Sequence, residues 1–109
     1  TTHSIGAHEF GLMKDSAVLI NFGRAALVDQ AAMQKALTKG EIAHAVVDVF
    51  DQEPLPEDDP WRQVPNVTLT PHIASNTVEC MARMATDAAS EVARVLEGND
   101  PQWPVNKLS

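Results

Sequence analysis

Three observations predict an α/β fold built on a parallel sheet. Short apolar runs at residues 17–20, 45–49 and 67–70 alternate with stretches of helical periodicity, the order expected of strands joined by crossovers. The middle run, Ala45-Val46-Val47, is made of small and β-branched residues, as in a strand buried on both faces of a parallel sheet. The helix between the first two runs has both end signals, Asp29 in front and Gly40 behind.

In chain order, residues 5–13 predict a short helix with Phe10 and Met13 on one face, weakened by Gly11. Lys14-Asp15-Ser16 reads as a turn. Ala17-Val18-Leu19-Ile20 reads as a buried strand feeding the glycine-containing loop Asn21-Phe22-Gly23-Arg24. Asp29 then caps a helix over residues 30–39, with Met33, Ala36 and Leu37 facing inward and Gly40 as the stop. The central strand begins near Ile42 and carries Asp48 where another Val or Ile would be ordinary. An ionised carboxylate is costly to bury without partners. Asp48 therefore belongs at the strand's carboxyl end, where the crevice of an open α/β sheet lies.

The loop over residues 51–65 holds four of the seven prolines and predicts no regular structure beyond one turn near Asp59-Pro60-Trp61-Arg62. Val67-Thr68-Leu69-Thr70 is a third strand, halted by Pro71. A long helix follows. Asn76 with Glu79 three residues later resembles a capping box, with Ser75 and Thr77 as the alternative caps. Val78, Met81, Ala85, Ala88, Val92 and Val95 mark one apolar stripe, and Gly98 ends the helix. The chain thus divides into an α/β unit over residues 1–98 and a tail over residues 99–109.

The length, 109 residues, fits one domain with a modest core, and 44% hydrophobic with 21% charged residues places it among globular chains. Fifteen acidic against eight basic residues give a formal charge of −7. That balance argues against nucleic acid and anionic membranes as partners, since both need a basic footprint. No apolar run approaches a membrane span. The single cysteine, Cys80, predicts a reducing, cytoplasmic compartment without a disulfide framework. The chain has neither an initiator Met nor signal-peptide features at its start, and it reads as a piece of something longer.

Right-handed crossovers put all three strand ends on one side. That rim gathers Arg24, Asp48, Glu53 and His72. Arg24 can grip a carboxylate with two parallel hydrogen bonds. His72 can donate and accept a proton near neutral pH. Glu53, stiffened by Pro54, would fix the imidazole tautomer and favour imidazolium, as suits a general acid. A carboxylate clamp beside a tuned proton donor suits reduction of a 2-oxo acid, with the hydride drawn from a cofactor.

Each residue also has an ordinary reading: Arg24 in a surface salt bridge, His72 as a structural hydrogen-bonding residue, Asp48 and Glu53 as a strand end entering an acidic loop. Other chemistries fit less well. There is no Gly-x-Ser-x-Gly elbow. Cys80 has no histidine near it in sequence, the histidines lack metal-site spacing, and the acidic loop over residues 51–59 lacks ordered ligand spacing.

Three blocks carry a specific resemblance. They are Leu19-Ile20-Asn21-Phe22-Gly23-Arg24-Ala25-Ala26-Leu27-Val28-Asp29, then Val47-Asp48-Val49-Phe50-x-x-Glu53-Pro54-Leu55, then Asn66-Val67-x-Leu69-Thr70-Pro71-His72-Ile73-Ala74. In order and spacing they resemble the D-isomer-specific 2-hydroxyacid dehydrogenases, and Trp103-Pro104-Val105-Asn106 is similar to a family C-terminus. The resemblance implies half of a doubly wound, Rossmann-like sheet of about three strands with flanking helices. It implies an oxidoreductase acting on a small 2-oxo or 2-hydroxy acid with NAD or NADP. By the same resemblance Arg24 binds the substrate carboxylate, and His72 gives its proton to the substrate oxygen with Glu53 tuning it. Asp48 meets the nicotinamide carboxamide, Phe22 and Gly23 lie near the nicotinamide, and Ser75 is a further neighbour.

Two departures stand out. Ala25 occupies a position that is usually glycine, which would strain the loop if a positive φ were needed. The family's Gly-x-Gly-x-x-Gly turn, which receives the pyrophosphate, does not occur in these 109 residues. The chain is therefore expected to be inactive alone, with a sheet edge and an apolar face open to pairing as a homo-oligomer. The rival expectation is a non-catalytic module that self-associates and binds a partner or a small anion.

Overall fold

The computed structural model describes residues 1–106. The chain forms two compact units, the first ending at Ala74 and the second starting at Ser75.

The first unit is a three-stranded parallel sheet with helices packed against one face. Its elements are α1 (Ala7–Leu12), β1 (Val18–Asn21), α2 (Gln30–Lys39), β2 (His44–Val47) and β3 (Val67–Leu69). The strand order is β1-β2-β3. Val18 lies opposite His44 and Asn21 opposite Val47, while Ala45 lies opposite Val67 and Val47 opposite Leu69. This register brings the three strand ends level, so that Asn21, Asp48 and Thr70 reach one rim together.

The core follows from the two periodicities. Leu19 on β1 and Ala45 and Val47 on β2 point to the same side, and Phe10, Met33, Ala36, Leu37 and Ile42 pack over them. On the opposite face Val18 and Ile20 are exposed. The caps of α2 are where the sequence puts them. Asp29 accepts from the Ala32 amide at 2.9 Å, and Gly40 closes the helix at φ 71, in the left-handed region.

The proline-rich loop is irregular except for a 3₁₀ turn, Pro60–Gln63, which buries Trp61. The indole donates to Gln30 Oε1 at 2.6 Å and meets the Phe50 ring edge-on at 6.5 Å. Arg62 fastens the loop to itself by donating to the carbonyls of Leu55 and Pro56.

The second unit is built on α3 (Val78–Leu96). Its cap is Thr77 rather than Asn76. Thr77 is extended, at φ −108 and ψ 153, and its hydroxyl accepts from the Cys80 amide three residues on. The apolar stripe is present, but no residue of α3 is buried. The helix ends at Leu96, with Gly98 beyond it at φ 83. The tail is tied back where Gln102 donates its amide to Glu91 at 2.8 Å. Among the described residues no helix is long and apolar enough to cross a membrane.

Candidate active site

The site is built from three strand ends. At the first, Asn21 turns inward and shapes the loop after β1. Its Oδ1 accepts from the Gly23 amide and its Nδ2 donates to the Arg24 carbonyl, both at 3.1 Å. A Cβ on Gly23 would stand 2.9 Å from Leu27 Cδ1, so glycine permits the loop to close this tightly. Arg24 leaves the loop exposed. Its Nη1 donates to the Gly23 carbonyl at 2.9 Å, and it forms no ion pair among the described residues. Ala25 begins a 3₁₀ turn, Ala25–Leu27. Among the described residues the non-glycine positions with positive φ are His3, Asn66 and His72, so alanine at position 25 introduces no left-handed strain.

Asp48 follows the last residue of β2 and is only 1% exposed. Its Oδ1 accepts from Thr70 Oγ1 at 2.5 Å and from the Ile73 amide at 2.9 Å, and its Oδ2 from the Ala74 amide at 2.9 Å. Burial pushes the Asp48 carboxyl up. Those three donors, with His72 nearby, outweigh it and hold the group below the ordinary aspartate value. A carboxylate offers about four acceptor positions, so one remains on Oδ2.

His72 lies after β3 at φ 55, a conformation that costs a non-glycine residue about 1–2 kcal/mol. Its Nδ1 stands 2.8 Å from Glu53 Oε2. The other Glu53 oxygen accepts from the Phe50 amide at 2.9 Å. The hydrogen bond from His72 and that from Phe50 hold the Glu53 carboxyl below its usual value, against a smaller opposing effect of burial. Glu53 is therefore ionised at neutral pH. A carboxylate can only accept, so Nδ1 carries the proton, and Nε2 makes no hydrogen bond among the described residues.

Arg24, Glu53 and His72 line one cleft of about 310 Å³, together with Ala25, Ala26, Val49, Phe50 and Asp51. A second hollow of about 500 Å³ shares Phe50, Glu53 and His72 with it and is otherwise walled by Pro54, Leu55, Leu69, Thr70 and Pro71, with Arg62 among its lining residues. Phe22, 54% exposed, and Gly23 sit on the loop leading to Arg24 and line neither cleft. Ser75 opens the second unit, where its carbonyl accepts from the Thr77 amide. Among the described residues no group of three or more His, Cys, Asp or Glu is arranged to hold a metal.

Two supporting residues carry no role in the sequence reading. Asn21, placed there in the loop after the first strand, closes β1, and Thr70 follows β3. A polar residue ending an apolar run is the available signal.

Against known proteins, residues 1–74 match the family model described as D-isomer specific 2-hydroxyacid dehydrogenase, NAD binding domain. Glyoxylate/hydroxypyruvate reductase B of Escherichia fergusonii is 48% identical over 106 residues, covering 97% of this chain and 33% of the relative. The chain thus spans about a third of the length of the curated relatives it matches. Among solved structures, a D-isomer specific 2-hydroxyacid dehydrogenase from Xanthobacter autotrophicus Py2, in complex with NADPH and MES, superposes with a TM-score of 0.81 at 33% identity. That match covers 97% of this chain and 43% of the other. D-lactate dehydrogenase with NAD⁺ from Lactobacillus jensenii gives 0.73 at 30% identity, covering 98% and 36%.

Proposed function

The chain belongs to the D-isomer-specific 2-hydroxyacid dehydrogenase family, and from that premise we propose that it supplies the acid–base and carboxylate-binding half of a 2-oxo acid reductase. The observation that carries this reading is one cleft lined by Arg24, Glu53 and His72, with His72 Nδ1 held 2.8 Å from an ionised Glu53. Arg24 holds the substrate carboxylate through paired N–H groups. His72 delivers a proton from Nε2 to the carbonyl oxygen as that oxygen gains charge, and Glu53 holds the ring in place through Nδ1. NADH or NADPH supplies the hydride when bound. By the family resemblance Asp48 would meet the carboxamide of such a cofactor, and Phe22 and Gly23 would form the adjoining loop. This requires movement to uncover Asp48, which is 1% exposed and lines neither cleft. The pyrophosphate end has no Gly-x-Gly-x-x-Gly turn to meet within the 109 residues. Glyoxylate and hydroxypyruvate are the substrates to try first, since relatives carry those names.

The test is a graft that joins residues 1–106 to the remaining two-thirds of a glyoxylate/hydroxypyruvate reductase. Arg24→Lys keeps the charge but loses the fork, and is expected to weaken oxo-acid binding while NADH affinity holds. His72→Asn is expected to lower the reduction rate by about 10²–10⁴-fold. Glu53→Gln removes the carboxylate that holds His72 Nδ1 and is expected to lower the reduction rate as well. Full activity in both His72→Asn and Glu53→Gln refutes the reading. The ungrafted chain is expected to show no oxo-acid-dependent oxidation of NADH.

A second reading has one observation in its favour. Val78, Met81, Met84, Val92, Val95 and Leu96 of α3 are all at least half exposed, which suits a module that self-associates. Sedimentation of the chain as a compact monomer at roughly tens of micromolar, where exposed apolar surface already drives association, excludes it.

A further inference from the structure

We propose that Asp48 is the positioning residue for His72: its carboxylate clamps the residues on either side of the histidine and keeps the imidazole on Glu53. The catalytic meaning of this clamp rests on the reading of His72 as a proton donor; the clamp itself does not.

The hydrogen bonds define it. Thr70, Ile73 and Ala74, all within two residues of His72, donate to the one carboxylate. Between them the chain makes a tight reversal, in which the His72 amide donates to the Thr70 carbonyl at 3.0 Å and His72 adopts φ 55. A histidine does not hold a left-handed conformation unaided, so the surroundings must fix it. Asp48 is suited to this because it is immobile. It is 1% exposed, its own amide donates to the Asn21 carbonyl at 3.2 Å, and the Thr70 amide donates to Val47 at 3.0 Å. The clamp is therefore anchored in the sheet.

The same short segment also holds the other half of the pair. Glu53 is fixed through Oε1 by the Phe50 amide, two residues beyond Asp48, leaving Oε2 for His72 Nδ1. One stretch, residues 48–53, thus grips the backbone around His72 at its start and the imidazole at its end. An amide in place of the carboxylate cannot reproduce the first grip, because in either orientation its NH₂ would face a backbone N–H, that of Ile73 or that of Ala74.

The experiment reads the Nδ1 proton of His72 by nitrogen-edited NMR of the whole chain, with no substrate present. In the unaltered chain the hydrogen bond to Glu53 is expected to slow exchange of this proton with water. In Asp48→Asn it is expected to exchange at least about ten-fold faster, the equivalent of about 1.4 kcal/mol of lost protection. The Trp61 Nε1 proton, hydrogen-bonded to Gln30 elsewhere in the same unit, serves as the internal reference. A general loss of stability would speed both protons, whereas loss of the clamp speeds only that of His72. Equal acceleration of the two, or no acceleration, overturns the proposal. Should Asp48→Asn fail to fold, Thr70→Val removes one of the three donors and leaves the carboxylate. A several-fold selective acceleration is then expected, and its absence overturns the proposal equally. If Arg24→Lys in the graft leaves oxo-acid binding unchanged, the functional reading falls while this measurement stands.

Discussion

The two main helices carry the same kind of apolar stripe and meet opposite fates. In α2, Met33, Ala36 and Leu37 are at most 1% exposed, packed against the sheet. In α3, Val78 is 84% and Leu96 82% exposed, and nothing along its 19 residues is buried. Periodicity therefore reports which face a helix would bury, not whether anything is there to bury it. For α2 the covering surface lies within the neighbouring 30 or so residues, roughly the size of a strand–helix–strand unit. In α3 no residue is buried, and its stripe resembles an interface rather than a core.

The largest effect that can break this contrast is in the core. Leu37→Ala in α2 is expected to cost about 2–5 kcal/mol, since it removes a buried side chain and leaves a cavity. Against a whole-domain stability of about 5–15 kcal/mol, urea unfolding followed by far-ultraviolet circular dichroism would register it as a large fall in midpoint. A loss below about 1 kcal/mol would mean that α2 is no better packed than α3.

Acid is the next probe, and it should act on the first unit. Asp48 and Glu53 have carboxyl groups lowered below 3.8 and 4.5 respectively, and Glu9 is lowered by its bond from the Gly6 amide. A group with a depressed folded-state pKa contributes stability that is present above its unfolded value and lost as pH falls through the folded one. The first unit is thus expected to hold its stability down to about pH 4.5 and to lose it progressively below, in denaturant titrations at stepped pH. Asp48→Asn flattens the lowest part of that fall; an identical profile in the variant would contradict the assignment.

Capping sharpens the comparison on a smaller scale. Asp29→Ala is expected to cost about 1 kcal/mol of global stability, because α2 unfolds with the core. Thr77→Ala removes an equivalent bond at 3.1 Å, yet should lower the helicity of α3 without moving the midpoint of the first unit. Smallest of all, Met84→Ala, at a half-exposed position, is expected to stay within about 0.5 kcal/mol in unfolding experiments on dilute chain.

What the sequence made legible was local. Asp29 and Gly40 bracket a helix because a cap and a stop act within one turn, and both stand at the ends of α2. At α3 three capping residues in a row, Ser75, Asn76 and Thr77, left the choice to backbone dihedrals that composition does not encode, and Thr77 won. The place of Asp48 at a strand end was legible from the cost of burying a carboxylate. Its partners were not, because two of the three are backbone amides 25 and 26 residues away, and every residue but proline has one. The left-handed turn at His72 was equally hidden, since it occurs at a histidine rather than a glycine. The doubt raised by Ala25 dissolves for the converse reason: the resemblance to a glycine position suggested a dihedral that this loop does not use.

The proline-rich loop has one more consequence, for proteolysis. Most irregular loops of this length are where a protease enters, because cleavage needs a stretch that can be drawn out straight. Here Trp61 is sunk in the core and Arg62 grips two carbonyls of its own loop. Trypsin should therefore pass over the Arg62–Gln63 bond in the folded chain for as long as the indole stays seated. The lifetime of that bond becomes a clock for how often Trp61 leaves its socket.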